Sequence, residues 1–112
     1  MRQWHVDPKL LCHKHLLGEH VEHHMFAGSI LKGKSLTGYI DDGLVEVHTL
    51  IERHAELVRE MRRRDYNHSS PLPPGLAEKL YTAGAVDELE NLNELRRRCP
   101  LCRARIKRLA LA

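Results

Sequence analysis

Apolar residues recur near the start of the chain at close to helical spacing: Leu10, Leu11, Leu17, Val21, Met25 and Ile30. That period predicts an amphipathic helix. Asp7-Pro8 can open it, with Asp7 as N-cap and Pro8 at the first helical position. Gly18 interrupts the pattern and predicts a close approach by another backbone. A polar loop follows from Lys32 to Gly43. The clearest helix is predicted over residues 44–64, with Val47, Leu50, Ile51, Leu57, Val58 and Met61 as its apolar stripe. Residues 69–75, Ser-Ser-Pro-Leu-Pro-Pro-Gly, read as a turn. A short helix is expected around Glu78–Tyr81, closed by Gly84. A third main helix is expected over residues 86–98, with Leu89, Leu92 and Leu95 three apart. Cys99-Pro100 breaks or kinks it, and the last ten residues resume a basic helical pattern. No internal repeat and no strand pattern is visible. The expectation is an all-α, compact single domain of three main helices joined by short helices and loops.

A length of 112 residues fits one domain, and 42% hydrophobic content suffices for a core. With aromatics at 4%, aliphatic residues must fill that core. No apolar run approaches the length of a membrane span. His5, Asp7 and Lys9 interrupt any signal-peptide core, so a cytoplasmic, monomeric protein is expected. The net charge of +3 is modest but unevenly distributed. Arg96, Arg97 and Arg98 open a basic tail, residues 96–112, that no acid interrupts. Arg62, Arg63 and Arg64 form a second cluster, and Lys32 and Lys34 add to the first loop. Such patches suit a phosphate backbone and predict double-stranded DNA as partner.

Two further features bear on chemistry. Arg2 is too large for the usual trimming of an initiator methionine, so the mature amine is expected on Met1. A free α-amine titrates near about 7.7–8.0, well below lysine, and is a competent nucleophile at neutral pH. Glu19 and Glu22, three apart on one predicted helix, are candidate carboxylates beside it. An amine paired with a carboxylate can attack C1′ of a deoxynucleotide, expel the base and form an imine. β-Elimination then breaks the 3′ phosphate bond.

The segment His15-Leu16-Leu17-Gly18-Glu19-His20-Val21-Glu22 resembles the His-Leu-x-x-Glu-x-x-Glu segment of the pyrimidine-dimer DNA glycosylase / endonuclease V family of phage and microbial repair enzymes. The resemblance implies that Met1 is the catalytic terminus, Glu22 the catalytic glutamate, and Arg2, His15 and Glu19 substrate-contacting residues. Leu57 to Asn67 is similar to that family's second helix end. The chain departs from the family archetype at Val21 and Met25, where arginines are expected. It also has no aromatic residue after Tyr81. The implied activity is therefore a glycosylase with coupled abasic-site lyase chemistry, acting on pyrimidine dimers or another damaged base. It needs no cofactor, and a bacterial cell or phage-infected host is the expected setting.

The three cysteines are an odd count without a secretion signal, which argues against a disulfide framework. Cys99-Pro100-Leu101-Cys102 has the spacing of a zinc half-site. Cys12 can supply a third ligand, and His13 or another histidine a fourth. Among the remaining histidines, His20 and His24 can contact phosphate. Two other readings follow: a non-enzymatic, zinc-stapled helical module that binds nucleic acid, or a metal-dependent nuclease built on the histidine cluster.

Overall fold

The computed structural model describes residues 1–67 and 70–110 and is all-helical; no strand occurs among the described residues. Among the described residues five α-helices follow one another: α1 (His13–Leu31), α2 (Thr37–Asp41), α3 (Leu50–Arg63), α4 (Glu88–Arg98) and α5 (Pro100–Ala110). Ser69, the first residue of the proline-rich turn, lies outside the described residues, as do Leu111 and Ala112 at the end of the basic tail. None of the helices in the described residues is long and apolar enough to cross a membrane.

Helix boundaries differ from the periodicity for local reasons. Asp7 and Pro8 start only a 3-10 turn, Pro8–Leu10, in which the Asp7 carboxylate accepts from Lys9 N–H. Leu11 then extends, and α1 begins after Cys12. Helix α3 starts at Leu50 rather than at residue 44. Val45 and Val47 are buried from the run after Gly43, which sits at φ +69°, and a 3-10 turn, Val47–Thr49, leads into α3. The polar loop contains the five-residue α2, and α4 is capped by the Asp87 carboxylate, which accepts from Glu90 N–H.

The apolar stripe predicted for α1 joins its buried row only at Ile30. Val21 and Met25 are about half exposed. The buried row is Leu16, Glu19, His20, His23, Phe26, Ala27 and Ile30, spaced three and four apart, so that charged and polar side chains occupy core positions. This row packs on α3, whose buried face includes Leu50, Arg53, His54, Leu57 and Met61. Ile51, expected in that stripe, is exposed, as is Leu89 of α4.

Arg53 closes the α1–α3 interface. Its guanidinium donates to both carboxylate oxygens of Glu19, at 2.7 and 2.9 Å, and to the Val6 carbonyl at 2.7 Å. Both partners are essentially unexposed.

Two apolar cores result. One gathers Trp4, Val6, Leu11, Leu16, Leu57, Met61 and Leu95; the other gathers Phe26, Ile30, Leu36, Val45, Val47, Leu50 and Leu76. Neither Gly18 nor Gly84 has the role expected of it. Gly18 meets no backbone, since a Cβ there would face open space. Gly84 ends no helix: it sits at φ +91° in an extended run, and a Cβ would fall 2.0 Å from the Val45 carbonyl oxygen. The close approach that only glycine permits is therefore at Gly84.

Candidate active-site cleft

The first six residues run through the body of the protein. Gln3 is fully buried and holds them there. Its backbone N–H donates to the Leu44 carbonyl at 2.7 Å, and its side-chain oxygen accepts from Glu46 N–H at 2.6 Å. Its amide N–H donates to His23 Nε2 at 3.2 Å, while His23 Nδ1–H donates to the Glu19 carbonyl at 2.8 Å. That pair of bonds fixes one neutral tautomer. Burial is the main reason the His23 imidazole titrates as low as about 3. From the far end of the chain, the Asn91 amide donates to the carbonyls of Gln3 and Trp4, at 3.3 and 2.9 Å. Polar side chains buried at these positions give no periodic signal, so the sequence reading missed Gln3, Arg53 and Asn91.

This anchoring sets Met1 at the floor of a cleft of about 750 Å³ whose lining includes Arg2, Trp4, Leu17, Gly18, Val21 and Glu22. The α-amino nitrogen lies 3.7 Å from Glu22 Oε1. Burial raises the titration point of the Glu22 carboxyl, and the terminal ammonium pulls it the other way. The exposed apolar Val21 of α1 belongs to this wall. Gly18, lacking a side chain, keeps the cleft open beside it.

Two guanidinium groups lie against the ring of Trp4, Arg2 at 4.2 Å and Arg98 at 4.8 Å from its centroid. Partial burial, then repulsion from Arg98, lowers the Arg2 titration point. Glu94 also lines the cleft and pairs with Arg98 at 3.7 Å, so the two neighbouring cations form a partly neutralised rim that can still attract an anion. Arg98 therefore belongs to the cleft as well as to the basic tail.

His15 and Glu19 also line this cleft, and the remaining candidates are dispersed. Glu19, expected to face substrate, is unexposed, and its carboxylate is occupied by Arg53. His20, expected to contact DNA, is buried and stacks on His54 at 4.9 Å. With His24 these two rings form a compact cluster, but none of the three lines the Met1 cleft. Arg64 is turned inward, pairing with Glu60 at 2.6 Å and donating to the Leu11 carbonyl at 2.7 Å, so it closes the end of α3 rather than presenting charge. Arg63 is exposed but also paired with Glu60. Arg62, Arg96, Arg97, Lys32 and Lys34 are exposed. Arg97 is tied to Glu94 at 2.6 Å.

Cys12, Cys99 and Cys102 meet at one place, and the histidine beside them is His15. His13 instead bonds the Tyr66 hydroxyl at 2.7 Å. This four-residue group has the donor set of a metal site.

An amine and a carboxylate face each other in a cleft rimmed by arginine, on a helical scaffold; this is the equipment of an enzyme that works on an anionic substrate. The family model for pyrimidine dimer DNA glycosylase matches residues 1–74, and the chain belongs to that family of DNA glycosylases, whose substrate is DNA. No curated protein and no solved structure matches the chain.

Proposed function

We propose that this protein is a DNA glycosylase with coupled abasic-site lyase activity, acting as a monomer on pyrimidine dimers or another damaged base in duplex DNA. The observation that carries the reading is the 3.7 Å approach of the Met1 amine to Glu22 inside the arginine-rimmed cleft, in a chain of this family.

In this mechanism the neutral α-amine of Met1 attacks C1′ and the bond to the base breaks, the base leaving with its electron pair. The C1′–O4′ bond then opens and an imine joins C1′ to the Met1 nitrogen. Glu22 stabilises the positive charge that develops at C1′ and carries the amine proton to the ring oxygen. The imine acidifies C2′. Loss of a C2′ proton expels the 3′ phosphate, and water hydrolyses the imine to release an unsaturated aldehyde and restore the amine. Arg2 and Arg98 hold phosphates flanking the damaged nucleotide, and Lys32, Lys34, Arg62 and Arg96 hold the backbone further out. The damaged nucleotide must leave the stack to bring C1′ to the amine.

Borohydride reduction on abasic duplex tests this directly. The expected product is a covalent adduct that peptide mapping assigns to the Met1 nitrogen, in protein whose intact mass shows an unblocked Met1. An adduct at Lys9 or Lys14 refutes the assignment. Glu22→Gln should still bind DNA but lose roughly 10²–10³ in single-turnover excision, the range for removing one transition-state charge stabiliser. Unchanged excision removes Glu22 from the mechanism.

A further inference from the structure

We propose that Cys12, His15, Cys99 and Cys102 bind a zinc ion that clasps the C-terminal helices onto the amine-bearing end of the chain. The four donor atoms all lie within 4.8 Å of one another. Cys12 Sγ is 3.2 Å from His15 Nδ1 and 3.9 Å from Cys99 Sγ, and Cys102 Sγ is 3.5 Å from His15 Nδ1. A tetrahedral zinc with Zn–S near 2.3 Å and Zn–N near 2.0 Å has ligand–ligand edges of roughly 3.5–3.8 Å. The observed separations bracket those edges.

Helix ends and backbone donors favour negative charge on sulfur here, whereas burial pushes the Cys102 thiol up to about 12, so its deprotonation rests on the bound ion itself. Cys12 is the N-cap of α1, and Cys99 immediately precedes Pro100, the first residue of α5. Two helix N-termini thus converge on the sulfurs, and their positive ends favour negative charge. Backbone N–H groups point at sulfur, Cys12 N–H to Cys102 Sγ at 3.2 Å and Cys102 N–H to Cys99 Sγ at 3.4 Å. On binding, each of the three thiols releases its proton to solvent. The resulting centre has one net negative charge, and Arg98 and Lys14 both act electrostatically on His15.

A disulfide fits less well. It would need the sulfurs at about 2.05 Å, it would strand the third cysteine, and it leaves unexplained why His15 points one nitrogen at two sulfurs. Two ligands lie inside the family match and two beyond it, since the match ends at residue 74. The clasp therefore joins the matched region to the part of this chain that brings Arg98 to the cleft. His15, expected from its position to meet substrate, acquires a structural role.

The test uses the full chain, expressed without a histidine tag in zinc-supplemented medium and purified without chelator. Elemental analysis should find equimolar zinc. A mercurial reagent should eject that zinc with consumption of three thiols. Ejection should also change the fluorescence of Trp4, the single tryptophan, whose ring lies 5.7 Å from that of His15. Cobalt substitution should give tetrahedral d–d bands with thiolate charge transfer. His15→Cys should keep equimolar metal and shift the d–d bands toward a four-thiolate pattern. Cys99→Ser should weaken zinc binding by about tenfold or more. If that variant does not fold, the wild-type metal content and cobalt spectrum decide the matter. Metal-free protein with three titratable thiols overturns the proposal, as does a Cys12–Cys99 disulfide by mass. So does zinc that survives loss of these cysteines but not of His20, His24 and His54. Borohydride trapping, which needs no metal, separates failure here from failure of the imine mechanism.

Discussion

Glu19 and Glu22 stand one helical turn apart, and exchanging either for glutamine should have opposite consequences. Glu19 is unexposed and accepts two hydrogen bonds from Arg53, itself 1% exposed. Glu19→Gln preserves volume and one acceptor but removes the charge that neutralises a buried guanidinium. Breaking a buried pair by removing one partner costs about 3–5 kcal/mol. Arg53 keeps a 3.1 Å ion pair with Glu56, which is 43% exposed, so the lower end, about 3 kcal/mol, is expected. For a domain of this size, that lowers Tm by roughly 10–20 °C. Urea unfolding of Glu19→Gln and Glu22→Gln, with single-turnover excision measured well below either Tm, checks the assignment. Glu19→Gln should unfold early yet retain most activity; Glu22→Gln should be stable and nearly inactive. A Glu19→Gln protein with wild-type stability and lost excision would refute the argument, because Glu19 would then act on substrate. A paired Glu19→Leu, Arg53→Met variant should recover part of the stability, limited by the Val6 carbonyl that Arg53 no longer satisfies.

Gly84→Ala should destabilise by about 2–5 kcal/mol, from the positive φ and the 2.0 Å clash with Val45 together, as denaturant midpoints will show; a neutral effect would mean the two runs do not touch. Arg98→Ala should weaken damaged-site binding and excision, whereas an Arg96→Ala, Arg97→Ala pair should only lower affinity for every duplex and flatten the salt dependence, by about one in slope for each phosphate no longer neutralised. Equal effects of the two on damaged and undamaged DNA would remove Arg98 from the cleft. His23 titrates at about 3 when folded, against an ordinary 6.5 for the imidazole. The unfolded chain therefore takes up a proton that the folded chain excludes. This contribution to stability is complete above pH 6.5 and is lost as pH falls toward 3, by up to about 1.4 kcal/mol per pH unit. Urea unfolding of His23→Gln across that window should show a shallower pH dependence than wild type, and an equal slope would place the titration elsewhere.

The helical class and helices α3 and α4 were legible because the apolar stripes in residues 50–63 and 88–98 follow the helical period. The break at Cys99-Pro100 was legible from proline chemistry. What escaped has a common cause: this fold buries polar side chains. Residues 16, 19, 20, 23, 26, 27 and 30 form a regular core row, but three of them are Glu or His, so an apolar count settles on Val21 and Met25 instead. Those two are half exposed, and Val21 faces the cleft. Arg53, Gln3 and Asn91 are ordinary surface residues by composition, and only partners distant in sequence, as far as 88 positions away, make them interior. Arginine clusters have the same weakness, since charge in a sequence does not distinguish an exposed Arg62 from an Arg64 that caps a helix. The Met1 amine and the Glu19/Glu22 pair were open from the terminus and the spacing, the family motif singled out Glu22, and the cysteine group was open because CxxC spacing is local and Cys12 was the one remaining thiol.

Asn91 grips the carbonyls of Gln3 and Trp4 across 88 and 87 positions of chain. During synthesis the residues around Met1 thus emerge long before their partners. The α1–α3 pairing can form once residue 63 is available, but the amine end has no complete seat until α4 has been made. Loop closure over such a span is slow compared with helix formation. A nascent or truncated chain ending before residue 91 would hold its terminal amine by the Gln3 contacts to Leu44, Glu46 and His23 alone, without the Asn91 grip. On the proposed mechanism, full seating of the terminal amine would therefore wait for α4, and the order of translation would place that seat last.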